Sequence, residues 1–508
     1  MKILPNLLLV GLLVLGLKTQ AQYDIVKTEN GAISGLKSGD IHIYKGIPFA
    51  APPVGNWRWK APQPAKNWQG VRKCESFSAS PIQSKPAPFY CWTEEFIAPP
   101  EPLSEDCLYL NVWTGAKLAY ENRPVFVWIY GGGFSSGSAA CAIYDGEEMA
   151  KKGVVFVSIN YRVGALGFMA HPELSKEQNN ASGNYGLLDQ VAALKWVQNN
   201  IAAFGGDPNN VTIAGQSAGS MSVNCLVASP LAKRLFHRAI AQSGGMLSNR
   251  IPTSLADAEK MGEAFQKKAN AANLAELRKK TPEEILAATQ GGIRFGVTLD
   301  GHVLPTDIFN HFKEGKHNDV PLMAGWVTGD GSITGGQALS AEKFKQQLRE
   351  KYGEKADEFL KLFPAATDDE AKATQLKLGL LSFAARSAHL WAGFNKSRAY
   401  LYQFTHVPPD KPNFPNYGAF HTSEVPYALH TLHRWNRPWQ EVDRQLENNM
   451  ADYWVNFAKT GNPNAKGLPE WKGHDKKSGV VLELGDNVQE RPALFKAEFE
   501  LLDSVQIK

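Results

Sequence analysis

The sequence predicts an α/β fold: a mostly parallel central sheet with helices on both faces and helical insertions over it. Three observations carry that expectation. Short, continuously apolar runs rich in β-branched residues recur along the chain. Amphipathic helical patterns separate them. No low-complexity tract, repeat or flexible linker divides the 508 residues into separate cores.

The apolar runs are Pro124 to Tyr130, Val154 to Tyr161, Val211 to Ala214, Ala239 to Gln242, Val320 to Trp326 and Ala399 to Thr405. Strands apolar on both sides belong in a sheet covered on both faces, and such sheets are mostly parallel with helical crossovers. Leu187, Val191, Leu194, Val197 and Ile201 recur at spacings of three and four and draw one apolar helical stripe. Gly205, Gly206 and Pro208 then stop that helix. The region from about Ser254 to Ser397 reads as largely helical and as an insertion over the sheet. Leu446, Met450, Tyr453 and Phe457 mark a last amphipathic helix.

At the N-terminus, Lys2 precedes an apolar run from Leu7 to Leu17, and Thr19 and Ala21 follow at small-residue spacing. This is the pattern of a cleavable export signal over 1–21, leaving one α/β domain over 22–508 in a secreted or periplasmic protein. The run is shorter than the roughly 17–25 residues a membrane-spanning helix needs, and no later segment is long enough to span. Net charge is only +4 with both signs interspersed. That excludes the basic stripe nucleic acid requires. Five cysteines (Cys74, Cys91, Cys107, Cys141, Cys225) leave at least one unpaired within the chain. Cys225 reads as a small core residue.

Directly after the strand ending at Ala214 comes Gly215-Gln216-Ser217-Ala218-Gly219, with a helix expected from about Ala218. A serine on a sharp strand-to-helix turn is exposed for attack, and glycines two positions either side leave room for the tight passage. Ser217 is therefore the candidate nucleophile. The strand ending at Tyr130 runs into Gly131-Gly132-Gly133-Phe134. An acyl-transfer site needs backbone N–H donors aimed at the developing oxyanion, and Gly132, Gly133 and Ala218 are the natural suppliers. The same glycines have the wrong spacing for a dinucleotide fingerprint.

These stretches, with Ser104 to Asn111, Asn160-Tyr161-Arg162, Gly183 to Gln190 and Phe204 to Pro208, run in one order along the chain. Together they resemble the type-B carboxylesterase family, which includes cholinesterases, bile-salt-activated lipases and many bacterial esterases. The resemblance implies an α/β-hydrolase fold and a serine ester hydrolase that needs no cofactor or metal. In such folds the order is nucleophile, acid, histidine. Thr328-Gly329-Asp330-Gly331-Ser332 matches the family segment for the acid, where Glu is more usual, and so points to Asp330. Gly418 to Val425 resembles the segment holding the catalytic histidine, with a glutamate three residues on, and points to His421. His430 and His433 are better read as ordinary surface or structural histidines than as a metal pair.

Two departures from the family pattern stand out. The cysteine expected upstream of Cys107 is displaced; Cys107 could pair with Cys74 or Cys91, and Cys74 is favoured. Gln216 stands where Glu is common, a change expected to remove a charge beside the nucleophile without touching the proton relay. For the pocket, Phe134 and Trp326 are the chosen candidates, with Trp92, Tyr144 and Tyr417 near them. They suggest a small to medium ester, aromatic or carbohydrate-linked, as the small-molecule partner. The loop Cys91 to Leu103 does not match a choline-binding loop. The family's non-catalytic adhesion proteins lose the nucleophile, which this chain keeps, and no peptide-binding cleft marks it as a peptidase. The oligomeric state is left open.

Overall fold

The computed structural model of the chain describes residues 25–248, 252–333, 338–412, 414–475 and 479–505. The expected leader, 1–21, lies outside them.

The principal sheet has eleven strands. In chain order they are β1 (Leu36–Ser38), β2 (Ile41–Pro48), β3 (Tyr109–Thr114) and β4 (Arg123–Ile129). Then come β5 (Val155–Ile159), β6 (Gly206–Gln216), β7 (Arg238–Gln242) and β8 (Leu322–Val327). The last are β9 (Ala399–Phe404), β10 (Val481–Leu484) and β11 (Val488–Arg491). Across the sheet the order is β11-β10-β9-β8-β7-β6-β4-β5-β3-β2-β1. From β10 to β5 every pairing is parallel, and the margins are antiparallel. The six apolar runs read from the sequence are six of these parallel strands. In β5, Val-Phe-Val-Ser-Ile is buried at every position, as a sheet with two covered faces demands.

Helix α1 (Tyr185–Asn200) buries Leu187, Val191, Leu194 and Val197, and Gly205 in the left-handed region (φ 78°) closes the short 3₁₀ turn behind it. α2 (Ala218–Ala228) follows β6 directly. The expected helical insertion contains α3 (Leu255–Lys268), α4 (Ala341–Tyr352), α5 (Asp368–Leu380) and α6 (Arg386–Phe394). A π turn, Leu381–Ala385, joins the last two. α7 (Glu441–Thr460) buries Leu446, Met450, Tyr453 and Phe457. It is not the last helix: β10, β11 and α8 (Lys496–Val505) follow it.

Two of the sequence motifs prove to be partners in the frame. Arg162 donates to Asp189 through its backbone N–H, Nε and Nη2 at 2.7–3.0 Å, both residues being buried. Removing one member of such a pair strands a charge and costs about 3–5 kcal/mol. The expected Cys74–Cys107 disulfide is not formed; all five cysteines are free and buried. Each thiol sits in its own packed site. Cys74 is locked by backbone bonds to Ser34 and Lys45, and its pKa is pushed up to about 11, by burial first. Cys107 faces Asp189 and Arg162 instead, and burial raises it further.

Candidate active site

β4 and β6 are neighbours in the sheet, but the chain moves from β4 outward to β5 before returning to β6. At such a reversal the connections leave in opposite directions and open a crevice at the carboxyl ends of the strands. Ser217 stands there, between the end of β6 and the start of α2. Its backbone is in a strained region (φ 58°, ψ −122°), and its N–H donates to Gln242 O at 2.9 Å. The small residue two positions on is a steric necessity. A Cβ on Gly219 would lie 2.0 Å from Ile129 O, because the first turn of α2 abuts the end of β4.

The glycine loop beyond β4 packs on this turn. A Cβ on Gly131 would come within 2.7 Å of Gln216 O and 3.0 Å of Ser217 Cβ. Gly132 has φ 111°, and its carbonyl is tied back by the N–H groups of Ser135 and Ser136, each at 3.1 Å. Among the described residues, the N–H groups of Gly132, Gly133 and Ala218 donate to no protein atom. They are donors left for a ligand, and that of Ala218 opens a helix, where the macrodipole favours negative charge.

Asp330 lies in the turn Thr328–Ile333 that follows β8, and His421 in the loop beyond β9. Gly329 N–H donates to Ala419 O at 2.9 Å and ties the two loops together. His421 Nδ1 and Asp330 Oδ1 are 2.6 Å apart, both residues being buried. Asp330 Oδ2 accepts from Val327 N–H at 3.1 Å, which fixes the carboxylate. Ser217 Oγ makes no hydrogen bond to His421 among the described residues; the ring is met by the preceding residue, Gln216, instead. Contacts of this kind often close only when substrate is bound.

Sequence reasoning missed the contacts that three residues make around this centre. Gln216 touches His421, where the sequence predicted that it would stand clear of the proton relay. Glu424 is completely buried near Asp330, and burial first, then the Asp330 charge, pushes its pKa up to about 8. The π turn sets Phe383 edge-on to His421, 5.3 Å between ring centres. The inserted residue of a π turn has no simple sequence signature, although such turns gather at functional sites.

The aromatic wall also differs from expectation. Trp92 stands perpendicular to His421 at 6.3 Å. Phe89 packs on Trp92 at 4.9 Å and Tyr90 on Tyr417 at 4.6 Å, forming a run of rings that reaches the surface. Phe89 and Tyr90 are 60% and 46% exposed. Trp326 does not belong to this wall. It is a β8 residue, 1% exposed, packed toward Phe495 just before α8, so strand geometry carries it into the core. Phe134 follows the glycine loop and packs on Phe168 at 5.0 Å.

The pattern of the family described as the carboxylesterase family matches residues 22–380 and 376–501. The chain is 36% identical over 490 residues to a fumonisin B1 esterase of Sphingopyxis macrogoltabida, covering 91% of this chain and 86% of that one. It is 33% identical over 483 residues to a para-nitrobenzyl esterase of Bacillus subtilis, covering 92% and 96%. A solved PNB esterase superposes with a TM-score of 0.83 at 31% identity, over 94% of this chain and 99% of that one.

Proposed function

The chain belongs to the carboxylesterase family and is a carboxylic ester hydrolase of the α/β-hydrolase fold, and on that premise we propose that Ser217, His421 and Asp330 carry its chemistry. The observation that supports this most is the buried His421–Asp330 pair at 2.6 Å, held beside the strained serine turn.

His421 Nε2 takes the Ser217 proton as Oγ attacks the ester carbonyl, and Asp330 stabilises the imidazolium through Nδ1–H. The N–H groups of Gly132, Gly133 and Ala218 receive the oxyanion, and each is worth about 2.7–4 kcal/mol to the transition state. As the tetrahedral intermediate collapses, the C–O bond to the alcohol breaks and His421 returns the proton to the leaving alkoxide. Water, activated by the same histidine, then releases the acid from the acyl-serine.

The substrate in this proposal is a small to medium ester with an aromatic part. The run Phe89, Tyr90, Trp92 and Tyr417 beside His421 supports it, since flat apolar rings stack favourably on such a wall. So does the name of the para-nitrobenzyl relative. Export, with the leader 1–21 removed, completes the proposal, and sequencing the N-terminus of the protein recovered from outside the cytoplasm tests it.

The test of the chemistry is hydrolysis of p-nitrophenyl esters of graded acyl length, and of benzyl against ethyl esters, by the parent and by Ser217→Ala. Turnover that vanishes in the variant is expected, with benzyl preferred to ethyl and that preference lost in Trp92→Ala. A folded Ser217→Ala variant that still turned over would contradict the mechanism.

A further inference from the structure

Gln216 ends β6 and is 1% exposed. Its Nε2 lies 3.3 Å from Nδ1 and 3.2 Å from Nε2 of His421. An atom almost equally far from both ring nitrogens is in line with neither lone pair, so the amide rests against the ring without capturing the nitrogen that must accept the serine proton.

Which end of the amide faces the ring follows from its other partners. The Trp92 indole can only donate, and it gives its proton to Thr422 Oγ1 at 3.1 Å. The Thr422 hydroxyl keeps its own proton for Gln216 Oε1, 3.4 Å away. With Oε1 turned to Thr422, the NH₂ end is the one presented to His421. The chain Trp92–Thr422–Gln216 thus runs from the aromatic wall to the base.

We propose that Gln216 is a positioning residue for His421, its amide held by Thr422 so that the NH₂ end steadies the ring and leaves Nε2 free for the serine proton. This rests on the reading of His421 as the base. The physics is one of sign. The positive end of an amide dipole disfavours a proton on the adjacent imidazole, whereas a carboxylate at the same place would attract one. A neutral ring is the form that can take the proton of Ser217, so a carboxylate put in place of the amide confines activity to higher pH. Asp330, from the turn after β8, is the charged group bonded to His421, and Glu424 lies buried near that carboxylate. The loop of Trp92, the π turn of Phe383 and the end of β6 present neutral groups.

The test is kcat/KM for p-nitrophenyl acetate from pH 4.5 to 9 in the parent, Gln216→Glu, Thr422→Val and Thr422→Ser. In Gln216→Glu the acid limb moves to higher pH by about one unit, a tenfold loss at a fixed pH on that limb. Thr422→Val frees the amide to turn its oxygen toward the ring and moves the limb the same way by less, and Thr422→Ser restores it. Limbs of Gln216→Glu and parent that superimpose would overturn the proposal. If Gln216→Glu does not fold, the threonine pair decides: identical profiles for Val and Ser overturn it, and a shift confined to Val upholds it. A parent inactive at every pH overturns the esterase chemistry and this inference with it, which separates that failure from an unmoved limb.

Discussion

Two buried histidines follow β9, and each meets a carboxylate through Nδ1 at 2.6 Å: His406 with Asp486 and His421 with Asp330. They differ at Nε2. His406 commits that nitrogen as well, to Asp443 at 2.8 Å, and Asp443 also accepts from the Tyr427 hydroxyl and from the backbone N–H of Gln440. His421 leaves Nε2 against the Gln216 amide, next to the serine turn. A buried His–Asp pair is therefore not by itself a catalytic feature. The same two residue types make a clamp when both ring nitrogens are taken, and supply the proposed base when one is left facing the crevice.

The sharpest way to break the comparison is to remove each ring in turn. His421→Ala loses on the order of 10⁴-fold or more in kcat, as base removal does in serine hydrolases. His406→Ala keeps kcat but loses about 3 kcal/mol of stability by urea unfolding, because Asp443 is left buried without its cationic partner. Equal losses of kcat in the two variants would dissolve the distinction.

The two sites also part in their response to pH. Burial pushes the His406 pKa down, but the hydrogen bonds and charges of Asp443 and Asp486 outweigh it, and the net shift is upward. A histidine raised in the folded state contributes stability that is fully present below about pH 6.5, its unfolded value, and lost as pH rises through the folded value. The melting temperature of the parent should therefore fall more steeply above pH 6.5 than that of His406→Asn; parallel curves would refute the clamp. Glu424 adds to the same slope. Its folded pKa of about 8 makes it favour folding only while protonated, so stability from this group fades between its unfolded value and pH 8. Glu424→Gln should flatten the fall over that window, from the ordinary carboxylate range to about pH 8.

The smallest effect concerns the acid. Asp330→Glu restores the residue more common in the family at the cost of one methylene, and about a 2–10-fold drop in kcat is expected, against about 10⁴-fold for Asp330→Asn, which misorients the imidazole. A larger loss in the glutamate variant would mean that the Val327–Asp330 bond, at 3.1 Å, sets the loop more tightly than the chemistry requires.

How far these features were legible in the sequence depended on how local their cause is. The parallel strands declare themselves, because a strand covered on both faces is buried at every position and so almost wholly apolar, as Val155–Ile159 is apart from Ser158. The margins β2, β10 and β11 did not. They are short or mix polar with apolar residues, as β11 does with no fully buried position. The serine turn is written within five residues, since the steric demand at Gly219 is met within the motif itself. Asp330 and His421 come together only when β8 and β9 are adjacent, so their pairing was visible through chain order and family resemblance and not through spacing. Trp326 was misread because an aromatic residue at a strand end looks the same whether it faces a pocket or the core. The Gln216–His421 contact joins residues 205 apart, and nothing local to either announces it.

The most direct measurement of the central claim is the site and rate of labelling by an aryl-free fluorophosphonate, read by peptide mass spectrometry in the parent, His406→Ala and His421→Ala. The account predicts one adduct, on the peptide carrying Ser217, formed at the parent rate when His406 is removed and slowed at least about a hundredfold when His421 is removed. An adduct on another residue, or labelling of Ser217 at the parent rate without His421, would contradict it.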